Sequence, residues 1–357
     1  MKIELLPAGH GDCILIEYGP PDSPRRVLVD GGPARSYPAL AARLARIPAD
    51  RRRIDLLVVT HVDADHIEGV LRLLNDAGLA VEVGEVWFNG YRHLPPDDLL
   101  GPAQGEIVSA LLRARDLPWN TSFDGGPVRR EREGPLPRRE LPGGLVLTVL
   151  APGDAELRAL RRVWERECRR AGITPGSTAA VPTTDQRLTP LDAYLGDLDV
   201  AALAALPQTE TDTSPANASS IVLLAEHGGH SVLLAGDSAP DTLAAGVERL
   251  LAERDLDVLA VDLFKLPHHG SRYNVTREVL ELVRARIFGV STDGKYFGHP
   301  DGAAIARLLV SGPSGGRIVF NYRTAGTAPW SEPSVLEKYG FVAECPRAGA
   351  EGAAVTL

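Results

Sequence analysis

Short apolar runs alternate with Gly and Pro through residues 1–90, a pattern that predicts β-strands. Strands are expected at 2–6, 12–18, 26–30, 55–60 and 81–89, with a helix near 37–47. After the fourth strand, Ile67, Val70, Leu71 and Leu74 recur at helical spacing. They predict an amphipathic helix that ends near Gly78.

The second half of the chain repeats this style. Strands are expected at 145–150, 219–226, 230–235, 258–264, 286–290 and 317–321, and helices near 240–254 and 277–285. Two strand-rich halves, each with helices, predict two sheets that pack face to face and carry helices on their outer faces. The expected fold is therefore a four-layer αββα sandwich.

Residues 91–214 lie between the halves and show weak strand signal, many prolines and one strong helical segment at 154–171. This stretch is too long for an ordinary loop. We interpret it as an insertion that lines or covers a cleft. The chain is thus expected to form a single domain over 1–357 with a lid region at 91–214.

Composition narrows the class of protein. The chain has 44% hydrophobic and 24% charged residues, which is typical of a globular protein. No run of about 18 apolar residues and no signal-peptide pattern is visible, so a cytoplasmic protein without membrane contact is expected. A net charge of -9 disfavours indiscriminate binding along a polyanion but leaves a nucleic-acid substrate open. Three distant cysteines indicate neither a disulfide framework nor a thiolate cluster.

A dense cluster of possible metal ligands follows the strand predicted at 55–60. The segment THVDADH offers two histidines and two aspartates within six residues. At a strand end, alternate side chains can turn inward, so His61 and Asp63 can face one cation. Asp65 and His66 can face a second. The alternative, a capped helix N-terminus, needs one carboxylate and no imidazole.

Later elements offer further ligands. Asp237 ends the predicted strand SVLLAGD, where a carboxylate can bridge two cations; capping the next helix is the alternative. His268 and His269 follow a buried strand, a position that is costly in a core and unusual on a surface. His299 lies in a loop, in which a plain turn residue is the alternative. These positions extend the predicted two-metal site.

The order and spacing of these residues resemble the metallo-β-lactamase superfamily. The motifs that carry the resemblance are GHGDCILI, VLVDGG, THVDADHIEG, LLAGD, KLPHHGS and YFGHP. They are most similar to the metallo-β-lactamase domain of ComEC-type competence proteins and to the phosphorylcholine esterases of bacterial cell surfaces. Asp63 stands where the superfamily usually has a second histidine.

The resemblance implies a role for each matching residue. It makes His61 and Asp63 ligands of site one, Asp65 and His66 ligands of site two, Asp237 the bridge, His269 the last ligand of site two, and Asp30 a residue that orients a ligand. The usual additional site-one histidine is missing near Asn217, so either Asn217 or water replaces it or site one is weak. Two divalent ions, zinc or manganese, are expected, because oxygen ligands are more numerous than in a histidine-rich zinc site.

These assignments predict a hydrolase, since a hydroxide that bridges two cations is a nucleophile near neutral pH. By resemblance, the preferred substrate is a phosphodiester, in a nucleic acid or a small molecule, so the enzyme would be a phosphodiesterase or nuclease. The predicted catalytic residues are Asp65, His268 and His299, and one of the two histidines would protonate the leaving oxygen. Hydrolysis of esters, lactones or thioesters, and a non-catalytic binding or regulatory role, are the alternatives.

Overall fold

The computed structural model describes residues 1–94, 103–171 and 199–357. Its strands form a six-stranded sheet, in the order β14-β1-β2-β3-β4-β5, and an eight-stranded sheet, in the order β13-β12-β11-β10-β9-β8-β7-β6. The strands are β1 (Lys2–Leu5), β2 (Ile14–Tyr18), β3 (Arg25–Val29), β4 (Arg53–Val59), β5 (Glu82–Phe88), β6 (Arg138–Leu141), β7 (Leu145–Ala151), β8 (Val222–His227), β9 (His230–Leu234), β10 (Leu259–Lys265), β11 (Val283–Val290), β12 (Arg317–Phe320), β13 (Val342–Glu344) and β14 (Ala353–Thr356).

The helices pack on the outer faces of these sheets. They are α1 (Tyr37–Ala45), α2 (Ala64–Asn75), α3 (Ala103–Ala114), α4 (Asp154–Ala171), α5 (Val200–Ala205), α6 (Pro215–Ala218), α7 (Pro240–Arg254), α8 (Arg277–Leu282), α9 (Gly302–Ser311) and α10 (Pro333–Tyr339). Within the described ranges, no helix is long and apolar enough to cross a membrane.

Alternating burial along the strands produces four layers. In β4, Leu56 and Val58 join a core that also contains Leu223 and Leu263 of the second sheet, so the two sheets pack face to face. Their neighbours in β4 point the other way, into a core shared with α1, α2, α3 and α4. A third core lies between the second sheet and α7, α8 and α9. The predicted αββα sandwich is confirmed.

Parallel pairing brings the ends of several strands to one place. In the first sheet, β3 pairs with β4 in parallel; in the second, β9, β10 and β11 are parallel neighbours. The carboxyl ends of parallel strands lie at the same edge of a sheet. The segments that contain Asp30, His61, Asp237, His269 and His299 follow these strands, so the topology gathers them at one end of the sandwich.

Two glycines fix the helix that follows His61. A Cβ atom on Gly31 would lie 2.4 Å from the Val70 nitrogen, and one on Gly69 would lie 1.9 Å from the Gly31 oxygen. Gly31 also donates a backbone hydrogen bond of 2.8 Å to the His66 carbonyl. This approach of helix and loop is possible because neither position has a side chain. It holds His66 against the loop after β3.

Some elements differ from the sequence prediction. The helix expected at 277–285 ends at Leu282, and β11 begins at the β-branched Val283. Patterning did not identify β6, β13, β14 or α9. Within the proposed lid region 91–214, β6 and β7 are strands of the second sheet, and α3 and α4 cover the first. Residues 95–102 and 172–198 of that region lie outside the described residues.

Candidate metal centre

Four side chains converge between the two sheets. Asp65, His66, Asp237 and His269 each offer a ligand atom, and these atoms all lie within 4.8 Å of one another. We call them the site-two group. Asp237 Oδ2 lies 3.2 Å from His66 Nε2 and 3.3 Å from His269 Nε2. Both imidazoles are fully buried, and Asp65 is mostly so.

Hydrogen bonds at Nδ1 orient the two histidines of this group. His66 Nδ1 lies 2.8 Å from Asp30 Oδ2, and His269 Nδ1 lies 2.9 Å from the Ser291 carbonyl oxygen. An acceptor at Nδ1 fixes the proton there and turns Nε2 towards the centre, as is usual for metal-binding histidines. Neither Nε2 makes a hydrogen bond. Two buried nitrogens therefore face the centre with unmet bonding capacity.

His61 is oriented in the same way through Thr60. Thr60 donates its hydroxyl proton to Asp30 Oδ2 at 2.7 Å, so the hydroxyl oxygen is free to accept from His61 Nδ1 at 3.0 Å. His61 Nε2 is buried without a hydrogen-bond partner. Burial and the nearby His66 lower the pKa of His61 to about 4. A neutral imidazole with a free Nε2 is the form that binds a metal.

We call the predicted site-one residues His61, Asp63 and Asn217 the site-one side. Of these, His61 lies beside the site-two group, with its ring centroid 4.2 Å from that of His66. His61 Nε2 is 3.7 Å from Asp63 Oδ2. Asn217, which occupies the position of the usual additional histidine, is buried, and its Oδ1 has no hydrogen-bond partner. Asp63 and Asn217 offer oxygen atoms, so His61 provides the one imidazole of the site-one side.

The electrostatics of the centre call for a cation. Loss of solvent and the charge of Asp65 raise the pKa of Asp63 to about 7, although 45% of its side chain is exposed. Because that exposure limits the effect of burial, repulsion between the carboxylates is the better-supported cause of the raised pKa of Asp63. Burial opposes protonation of His66 and His269, but the surrounding carboxylates, Asp237 foremost, together outweigh it and raise both pKa values. The donor atoms and their charges fit divalent ions.

Asp30 lies behind two of the predicted metal ligands. It is fully buried in the left-handed conformation, with φ of 59°. It accepts hydrogen bonds from the Thr60 nitrogen, the Thr60 hydroxyl and His66 Nδ1. One carboxylate therefore orients both His61, through Thr60, and His66.

His268 faces the centre from a different direction. Its Nδ1 lies 3.1 Å from Asp212 Oδ2 and 3.1 Å from Asn274 Oδ1, and its Nε2 lies 3.8 Å from Asp237 Oδ2. His268 and His269 both have positive φ, of 45° and 56°, which is a strained conformation for residues other than glycine. This double bend turns one imidazole into the core and leaves the other, with 23% of its side chain exposed, at the surface of the centre.

His299 forms the next part of the wall. Its ring centroid lies 5.3 Å from that of His268, and its Nδ1 is 3.4 Å from Asp301 Oδ2 without forming a hydrogen bond. Burial lowers the pKa of His299. Burial also opposes protonation of His268, but Asp237 and Asp212 together outweigh it and raise the pKa of His268. Both predicted proton donors thus lie at one side of the centre.

Sequence reasoning missed two carboxylates that support the histidines. Asp12 is buried, lies 3.5 Å from His269 Nδ1, and accepts a hydrogen bond of 2.7 Å from the fully buried Lys265. Asp212 holds His268 and accepts a hydrogen bond from Asn217. Asp12 and Lys265 lie within the motifs GHGDCILI and KLPHHGS, so the charged residue in each motif could have been recognised from the sequence as a candidate site residue. Asp212 lies in the region interpreted as a lid, and no motif marks it.

Comparison with known proteins agrees with this fold. Residues 6–153 match the model of the metallo-beta-lactamase superfamily. The matched segment, which is less than half of the chain, is similar to that superfamily. No curated protein matches the sequence.

Two solved structures are similar over nearly the whole chain. One is a CmlA beta-hydroxylase E377D mutant, with 15% identity, a TM-score of 0.43, and coverage of 99% of this chain and 54% of that chain. The chain therefore spans about half the length of that protein. The other is Igni18, a metallo hydrolase from the hyperthermophilic archaeon Ignicoccus hospitalis KIN4/I, with 11% identity, a TM-score of 0.40 and full coverage of both chains.

Proposed function

We propose that this protein is a phosphodiesterase that uses two divalent metal ions, zinc or manganese. The observation that carries the proposal is the convergence of buried, unpartnered histidine nitrogens on Asp237. The site-two group would hold one ion. His61, Asp63 and Asn217 would hold the other, with Asp237 shared between them. Bound there, the ions would activate water near neutral pH and neutralise charge on phosphate oxygens.

The chain's own residues supply positioning and proton transfer. Asp30 orients His61 and His66, and Asp12 and the Ser291 carbonyl orient His269. His268 presents Nε2 towards the centre while Asp212 holds its Nδ1, an arrangement suited to giving a proton to a leaving oxygen. His299 lies directly behind His268 and is the second candidate for this step.

A phosphodiester is favoured over a carboxylic ester by the kind of donors present. Charge in phosphoryl transfer spreads over several oxygens, which suits a centre flanked by additional donors. Here His268 and His299 stand together beside the carboxylate cluster. The motifs THVDADH, KLPHHGS and YFGHP also resemble those of ComEC-type proteins and phosphorylcholine esterases. That closer resemblance supports the substrate class by analogy.

The proposal predicts that the purified protein hydrolyses bis(p-nitrophenyl) phosphate and that added manganese or zinc stimulates the reaction. Asp65→Ala should abolish turnover, because Asp65 contributes to the site-two group. The measurement is a rate assay on that substrate beside a nitrophenyl ester, a lactone and a thioester. Turnover of the latter three by metal-loaded protein, with none on the phosphodiester, would replace this proposal with an ester or thioester hydrolase.

A further inference from the structure

A cavity of about 660 Å³ lies next to the metal centre, on the side of His299. It is bounded by the loop 293–301, the start of α9, the segment 323–330 and Leu203 and Leu206 near the end of α5. His299 belongs both to its lining and to the wall beside His268. The cavity has the size of an ordinary small-molecule site. The proposed hydrolytic centre does not use it.

Part of the cavity lining suits an anion. Arg272, Lys295 and Arg323 line the cavity and are exposed. Among the described residues, neither Arg272 nor Arg323 forms an ion pair with a carboxylate, whereas Lys295 lies 3.9 Å from Asp293. Arg272 donates a hydrogen bond of 2.6 Å to the Tyr273 hydroxyl, and Arg323 donates one of 3.2 Å to the Pro346 carbonyl. Each guanidinium has five N–H donors, so both keep donors for an anionic ligand, and Arg binds phosphate with paired donors.

The start of α9 adds donors to the lining of the cavity. Asp301, at the N-terminal cap, makes no capping hydrogen bond. Its carboxylate accepts from the Arg272 nitrogen at 2.8 Å and points to His299 Nδ1, 3.4 Å away. The first residues of the helix, Gly302 and Ala303, line the cavity, so their amides lack a side-chain cap. Uncapped amides at a helix start attract anions.

Other residues of the lining suit a flat, apolar group. Phe297 lines the cavity with 40% of the residue exposed. Its ring stacks on that of His299 at 6.0 Å between centroids. Leu203, Leu206 and Trp330 add apolar lining, and Leu203 and Trp330 lie close to Gly302 at the start of α9. An aromatic ligand ring stacked on Phe297 would cover exposed apolar surface.

We propose that this cavity binds a nucleotide unit, with its phosphate at Arg272, Arg323 and the start of α9 and its base against Phe297. As an assignment of substrate class, this inference rests on the proposed function. The bound unit would be one half of a nucleotide phosphodiester, held beside His299 while the scissile phosphate lies at the metals. The buried His299, whose Nδ1 has no hydrogen-bond partner, is the residue that joins the two sites.

Titration calorimetry with adenosine 5′-monophosphate tests the cavity directly. We expect the wild-type protein and Asp237→Asn to bind it equally, because the cavity does not depend on the metals. Arg272→Ala and Arg323→Ala should each weaken binding about tenfold or more, as the loss of a charge-assisted hydrogen bond does. Phe297→Ala should weaken both the nucleotide and free adenosine. Arg286→Ala, which removes an exposed arginine on β11, is the matched control and should change nothing.

Two results would overturn the inference. One is nucleotide binding that the Arg and Phe297 variants leave unchanged; the other is binding that disappears in Asp237→Asn, which would put the ligand at the metals. Circular dichroism checks that each variant is folded. Hydrolysis of bis(p-nitrophenyl) phosphate separates the two proposals, because its absence together with intact nucleotide binding would remove the hydrolase and keep the cavity.

Discussion

Replacing Asp237 with Asn should reduce the metal content of both sites and slow phosphodiester hydrolysis by at least about 100-fold. In the proposed centre both sites share Asp237, whose Oδ2 lies within 3.8 Å of Nε2 of His66, His268 and His269. Even a change behind a ligand costs about 10- to 100-fold in metal affinity or activity, and the loss of a shared charged ligand should cost more. Elemental analysis of the purified variant and a rate assay measure the two effects.

Asp241→Asn is the control for this experiment. Asp241 is exposed in the first turn of α7, and its replacement by Asn changes the net charge by the same amount as Asp237→Asn does. It should retain metal and activity. If Asp237→Asn behaved like this control, with full metal content and full rate, the assignment of Asp237 as the shared ligand would be wrong.

Substitution of each of the adjacent histidines, His268 and His269, should separate proton transfer from metal binding. His269→Ala should lose the ion of site two, because His269 is fully buried and its Nε2 faces Asp65 and Asp237 at 3.6 and 3.3 Å. His268→Ala should keep its metal and lose about 10²- to 10⁴-fold in rate, which is the usual contribution of a general acid. Metal content and rate, measured on both variants, give the comparison.

His230→Ala serves as the matched control, since His230 lies on the β8 to β9 hairpin with 40% of its side chain exposed. It should match the wild type in both measurements. The opposite pattern, in which His268→Ala loses metal and His269→Ala retains it, would exchange the two roles.

The fold was predictable because local pattern and tertiary packing agree. Alternating apolar residues in β4 point to two different cores, and the helix pattern at Ile67 and Val70 matches a buried face of α2. Strands β6, β13 and β14 were not predicted because each has three or four residues, of which at most one is buried, so no apolar run marks them. The C-terminal end of α8 was predicted too late, because Val283 can extend a helix or begin a strand.

The candidate site was predictable only where its residues are neighbours in sequence or belong to a motif. THVDADH and HHGS identified the histidines that the structure brings together. Lys265 and Asp12, by contrast, are 253 residues apart, and only the packing of the two sheets brings them into contact. Asp212 and His268 also contact each other although 56 residues separate them. Support of this kind depends on tertiary distances, which a single sequence does not contain.

The most direct test of the central claim is a crystal structure of the manganese-loaded protein with anomalous scattering recorded for the metal. The account predicts one strong peak among Asp65, His66, Asp237 and His269, and a second, weaker peak beside His61 and Asp63. The second should be weaker because that side has a single imidazole. A structure in which manganese binds elsewhere, or in which this cluster holds no metal while the protein still hydrolyses phosphodiesters, would contradict the account.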